Sequence, residues 1–276
     1  MKIALCLHGY MENSGGLSAF HHAFEYINKK ILLNNQVDIF THSWDTKNIQ
    51  EYNNLYGSLT KDKIFEEQID FSRQEICKNQ EWFDEGINRN SLGDLKNNVI
   101  SRTLSFLYSR KKVIDIKNNF ETENDFQYDC TILARFDLGT RGKHCPQKYY
   151  ATNFNLLLDS DMNNLHCAFW DQFNHGIPDH WFYSNSCNMT IVGNLYDFMF
   201  DYYQKNSDYV NSCLNGWVES NAEEEFSNEM LKEKNNQSKN LLKWPRHLCI
   251  DNHKLYKWHF HTHKIPLTLV DITKDL

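Results

Sequence analysis

The segment from Tyr128 to Arg141 holds the residues best suited to chemistry. An apolar run, Cys130-Thr131-Ile132-Leu133-Ala134, leads into Arg135-Phe136-Asp137 and breaks at Gly139. A buried strand that ends in charged groups is where an open α/β sheet meets its ligand. Asp137 at such an end is a candidate ligand for Mn²⁺ or Mg²⁺, because hard divalent cations take oxygen donors and are shared between a carboxylate and a diphosphate. A cation so placed would stabilise a departing nucleoside diphosphate. The competing reading makes Asp137 a turn cap and pairs Arg135 with a surface carboxylate.

Other segments offer supporting chemistry. Ser109-Arg110-Lys111-Lys112 could bring cations to the same phosphates, although helical spacing lets only one or two of the four face inward. His8-Gly9-Tyr10, followed by Ser14-Gly15-Gly16, sits where a strand gives way to a helix, and backbone N–H groups there favour an anion. Its spacing matches neither the dinucleotide fingerprint nor the P-loop. Pro178-Asp179-His180-Trp181-Phe182-Tyr183 joins an acid to aromatic faces, so Asp179 is a candidate base for a sugar hydroxyl, or else the start of an aromatic core strand. Asp159-Ser160-Asp161 spells an Asp-x-Asp string, but acids after the apolar run Leu156-Leu157-Leu158 are more often turn formers. His259, His261 and His263 alternate, which on an extended segment would point all three imidazoles one way.

These groups need a scaffold. Ile3 to Leu7 reads as a strand, Leu17, Phe20, Phe24, Ile27 and Ile31 as one helix face, and Val37 to Trp44 as a second strand, which makes a right-handed β-α-β unit. A helix from about Val99 through Ile114 carries the Ser109 cluster toward the strand at Tyr128. Further on, a helix is expected near Leu195 to Tyr203. Residues 45 to 98 are polar, show helical patches around Ile64 to Cys77, and take no firm assignment.

The totals bound the function. The chain has 276 residues with 41% hydrophobic and 24% charged, ordinary for an enzyme-sized globular unit. A net charge of −7 argues against nucleic-acid binding, and an anionic ligand would need local cations. The eight cysteines include no Cys-x-x-Cys pair, which suggests reduced structural thiols and a cytoplasmic protein. The apolar run at the start is too short for a signal-peptide core or a span, and no transmembrane segment is expected.

Taken together, Lys2 to Gly9, Val37 to Trp44, Tyr108 to Lys112, Tyr128 to Asp137 and Pro178 to Tyr183 resemble the small GT-A-type glycosyltransferases of bacteria and large DNA viruses, the chlorella virus rhamnosyltransferase-like domain among them. Their order and spacing cover about residues 1 to 200. The resemblance implies a Rossmann-like GT-A nucleotide-sugar-binding fold with a mixed central sheet flanked by helices. It implies one domain over 1–276, with a nucleotide-sugar half at 1–145 and an acceptor-side half with a C-terminal cap at 146–276. It further implies Asp137 as metal ligand, Arg135 where many relatives carry the first acid of Asp-x-Asp, and His8, Gly9 and Tyr10 lining the nucleotide. The expected reaction moves a hexose or deoxyhexose from a nucleoside diphosphate sugar to a glycan hydroxyl, with Ser109, Arg110 and Lys111 supporting the diphosphate and Asp179 as base. The alternatives are a metal-dependent phosphoester hydrolase using Asp137, Asp159 and Asp161, and a glycan-binding module built on Trp170 and Trp181.

Overall fold

In the computed structural model, residues 1–12, 16–74, 93–139, 153–168, 176–204, 206–215 and 252–270 are described. Their strands are β1 (Lys2–Gly9), β2 (Gln36–Ser43), β3 (Thr60–Phe65), β4 (Cys130–Arg135), β5 (Leu165–Ala168), β6 (Trp181–Ser184) and β7 (Leu267–Val270). The helices are α1 (Leu17–Ile27), α2 (Ile49–Tyr56), α3 (Gly93–Glu123), α4 (Ser186–Tyr202), α5 (Asp208–Asn215) and α6 (Asn252–Thr262). The strands form one sheet in the order β3-β2-β1-β4-β6-β5-β7. Only β6 runs against its neighbours, so the sheet is mixed, as expected.

Both faces of the sheet are covered, which explains why the central strands read as unbroken apolar runs instead of alternating ones. Along β1 the period of two sends Ile3, Leu5 and Leu7 into the core shared with Phe20 and Ile27 of α1, and Ala4 and Cys6 into the core shared with Leu104 and Leu107 of α3. The second face also takes α4, which packs along α3. Gly193 of α4 lets the two helices approach closely, for a Cβ there would stand 2.9 Å from Ile114.

One buried polar cluster joins the helices of this layer. Lys117 is fully buried and bonds Glu121 at 2.9 Å, while the Ser186 hydroxyl donates to the same carboxylate at 2.8 Å. The other Glu121 oxygen takes the backbone N–H of Tyr128 at 2.8 Å, which ties the end of α3 to the entry of β4. A buried ion pair contributes little net stability, but it allows few alternative arrangements of the residues around it.

One expectation changes here and two open readings resolve. The stretch 45 to 98 contains a strand, β3, whose Lys61, Asp62 and Lys63 are exposed at the sheet edge; edge strands are commonly polar, and that hides their period. The tail histidines do not lie on an extended segment, because His259 and His261 belong to α6. Helical spacing brings His259 beside His263, tilted, with 4.2 Å between ring centroids, and turns His261 elsewhere. Asp159 and Asp161 lie in a turn region, where Asp161 accepts from the backbone and side-chain amides of Asn163, both at 2.9 Å. Cys6, Cys130 and Cys167 are free and buried, in keeping with structural thiols.

Candidate functional site

Strand order reverses at β1: the chain first builds β2 and β3 on one side of it, then places β4 on the other. The gap at the carboxyl ends of two such strands is the usual ligand crevice of an open α/β sheet. Here it holds a cavity of about 400 Å³ lined by residues of β1, β4, α3 and the loops that follow the strands. That volume falls within the roughly 300–1,000 Å³ of small-molecule sites.

Register builds the floor of the site. His8 of β1 pairs with His42 of β2 on one side and with Arg135 of β4 on the other, so three polar residues lie in one row across the strand ends. Along α3, Arg102, Ser105, Phe106 and Ser109 are spaced i, i+3, i+4 and i+7, one helix face, and all four line the cavity. Gly9 takes a φ of +101°, a conformation that suits glycine, and turns the chain out of β1 over this face. The Tyr10 hydroxyl then donates to Gln68 at 2.5 Å, and Gln68 donates to Ser105 at 3.0 Å.

His8 is held in one tautomer. Its Nε2 accepts from Arg110 Nε at 3.0 Å, which leaves the proton on Nδ1, and that buried nitrogen has no hydrogen-bond partner. Burial first, then the charges of Arg110 and Arg135, push its pKa well below the ordinary histidine value, so the ring is neutral. Arg110 itself is fully buried and lies behind the cavity wall. Its guanidinium sits 4.2 Å from the Phe106 ring centroid and donates to the backbone carbonyl of Asp179.

Arg135 and Asp137 form a two-bond fork, Nε to Oδ1 at 2.8 Å and a terminal nitrogen to Oδ2 at 2.5 Å. Burial opposes the charge on Arg135, and the Asp137 and Asp179 carboxylates more than offset it, so the guanidinium is held all the more firmly as a cation. Asp137 therefore meets Arg135 through both of its oxygens. Among the described residues no three His, Cys, Asp or Glu side chains converge as a metal-binding group. Among the described residues, the cavity lining holds one carboxylate besides Asp137, that of Glu12, which is exposed.

The expected residues separate into two groups. His8, Gly9, Tyr10, Ser109, Arg135 and Asp137 all line the cavity. Arg110 stands behind the wall and reaches the cavity through His8 and Phe106. Lys111 lies elsewhere: its ammonium pairs with Asp197 of α4 at 3.0 Å and Asp115 at 3.4 Å, because two helical positions on from Ser109 the helix has turned about 200°. Asp179 is also absent from the cavity lining. Burial alone would raise its pKa, but His253, His180, Arg110 and Arg135 outweigh that and hold the carboxyl well below the usual range. So stabilised an anion is a weak base.

Sequence reasoning missed Arg102, Gln68, Glu12 and Trp44 at the cavity. Arg102 had a usable signal, since it lies seven residues, two helical turns, before Ser109. Gln68 had none, because it comes from the unassigned polar stretch. Trp181 is 1% exposed and donates from its indole nitrogen to Asn153, so it offers no open platform to a sugar ring, and Trp170 lies outside the described residues. Among the described residues no helix is long and apolar enough to cross a membrane. Compared with family models, curated proteins and solved structures, the chain matches none.

Proposed function

We propose that the protein is a glycosyltransferase of the GT-A type that moves a hexose or deoxyhexose from a nucleoside diphosphate sugar to a glycan hydroxyl. The observation that carries this reading is the cavity at the reversal of strand order, where Arg135 and Arg102 present guanidinium groups in a protein of net charge −7. Guanidinium forks match phosphate oxygens, and the neutral Nδ1–H of His8 adds a donor that carries no charge. Trp44, Phe106 and Tyr10 give the same cavity aromatic surface for a base or sugar ring.

In this reading the diphosphate is held by Arg135, with Asp137 orienting the guanidinium, and by Arg102. Mn²⁺ or Mg²⁺ would accompany the diphosphate, with Asp137 as the carboxylate nearest to hand, and would neutralise charge on the departing nucleoside diphosphate. The order, parallel run and register of β1, β2 and β4 support a nucleotide-binding half, and β5, β6 and β7 extend the same sheet toward an acceptor.

Incubation with a panel of nucleoside diphosphate sugars and glycan acceptors, with and without Mn²⁺, tests the proposal. Release of the nucleoside diphosphate with sugar appearing on an acceptor is expected. Release of inorganic phosphate would make the protein a phosphoester hydrolase, and glycan affinity without turnover would make it a binding module.

A further inference from the structure

The row across the strand ends contains one imidazole that nucleotide binding leaves without a task. His42 has a fully buried side chain; its Nε2 stands 2.9 Å from Glu66 Oε1 and its Nδ1 2.8 Å from Ser109 Oγ. A carboxylate only accepts, so Nε2 carries the hydrogen and Nδ1 is the acceptor, which makes the Ser109 hydroxyl the donor to His42. Ser109 Oγ also accepts the Gly9 backbone N–H at 3.2 Å. That leaves one lone pair on Ser109, a residue of the cavity wall.

The groups facing His42 set its charge. Burial lowers its pKa first, the bond and charge of Glu66 oppose this, and Lys112 of α3 lowers it further, leaving it below the ordinary histidine value. His8 lies beside it on β1, and the rings of Trp44 and Tyr108 close it in at 4.8 and 5.9 Å between centroids. The imidazole is thus neutral near pH 7 with an acceptor nitrogen directed at the cavity wall. Glu66, with 34% of its side chain exposed, connects it to solvent.

We propose that Ser109, His42 and Glu66 form a proton relay that removes the proton from a hydroxyl bound in the cavity, an alcohol of the acceptor or a water. The inference rests on the transferase reading and supplies the base that Asp179, buried and outside the cavity lining, is poorly placed to be. As the acceptor oxygen bonds to the anomeric carbon, the bond from that carbon to the diphosphate oxygen breaks and its electron pair leaves with the diphosphate. The acceptor's proton passes to Ser109 Oγ while the Ser109 proton passes to His42 Nδ1. Glu66 stabilises the imidazolium until solvent takes the proton. Ser109 touches the reacting hydroxyl; His42 and Glu66 act through it.

Steady-state kinetics and nitrogen-15 NMR of the full chain test the relay. In the wild type, NMR should show His42 as the Nε2–H tautomer. In Glu66→Gln, whose site is partly exposed, the pKa of His42 should fall, and the acidic limb of the kcat profile should move to lower pH with it. Glu66→Gln and Ser109→Ala should each lower kcat by about 100-fold, with donor KM changed by less than about threefold. A purely structural role would change KM or stability and leave the pH limb in place. If the wild type transfers sugar and both variants keep its kcat and pH limb, the relay is wrong and the transferase reading stands. If the wild type turns over no donor, both are wrong. An Nδ1–H tautomer in the wild type would overturn the relay whatever the activity.

Discussion

Arg135 and Asp137 meet through two hydrogen bonds, 2.8 and 2.5 Å long, in the lining of the cavity. The pair is separated by one residue, so Phe136 between them points to the opposite side, where it packs on Phe20 with 5.8 Å between ring centroids. That apolar anchor and the fork together fix where the guanidinium faces. Asp137 thereby acts as the counterion that orients Arg135 at the cavity wall.

A first prediction follows from that aim. Asp137→Ala should weaken binding of nucleoside diphosphates by about tenfold, the size of one lost charge-assisted bond. The loss should be the same in Mn²⁺ and in a chelator when titrated by calorimetry. A loss seen only with Mn²⁺ would return Asp137 to the role of metal ligand.

Arg102 should behave differently because it is exposed. Arg102→Ala is expected to cost roughly threefold to tenfold in nucleoside diphosphate affinity at low salt, and less as salt screens the charge. Affinities measured across an ionic-strength series check this. Lys111→Ala, whose ammonium pairs with Asp197 and Asp115, should leave the same affinities unchanged.

Gly139 combines a φ of +74° with a side of the backbone pressed on the Tyr26 ring, where a Cβ would stand 2.2 Å from the nearest ring carbon. Tyr26 has little freedom to retreat, because its hydroxyl accepts from the Phe154 N–H at 2.7 Å and donates to the Phe154 carbonyl at 3.2 Å. Gly139→Ala should therefore destabilise the fold by about 1–3 kcal/mol in urea unfolding. Adding Tyr26→Ala should relieve the clash portion of the strain and leave the φ portion, so the double variant should lose less than the sum of the two single losses.

Acid should weaken the α4–α6 contact through His259. Burial lowers its pKa to about 3, and the neutral ring is satisfied on both nitrogens, by the Tyr202 hydroxyl at 2.9 Å and the Ile191 carbonyl at 2.8 Å. The folded pKa lies below the unfolded value near 6.5, so the unfolded chain binds the proton first. This group's share of stability is complete above pH 6.5 and is lost as pH falls toward 3, with a slope of up to about 1.4 kcal/mol per pH unit. His259→Gln should lower stability at pH 7 and flatten that slope in unfolding curves taken from pH 4 to 8.

Several elements were readable because their signal is local. Ile3 to Leu7 and Cys130 to Ala134 are apolar runs long enough for strands buried on both faces, and the residues from Ile100 to Ile114 repeat at helical spacing, so β1, β4 and α3 could be placed without a partner in view. β3 could not, because Thr60-Lys61-Asp62-Lys63 carries edge polarity in place of a period. The tail histidines misled for a related reason: alternation in the sequence implies a shared face only if the backbone is extended, and packing on α4 makes it helical.

The amino-acid sequence by itself determined the α/β class, the opening β-α-β unit and a strand that ends in Arg135 and Asp137, since each depends on the order of neighbours along the chain. Only the tertiary structure decided that His42, His8 and Arg135 form one row, that Ser109 reaches His42 and Gly9 while Lys111 turns away, and that Asp137 spends both oxygens on Arg135. Those relationships are set by strand register and by the rotation of α3 over the sheet. Both arise from contacts between residues far apart in the chain, which no local pattern encodes.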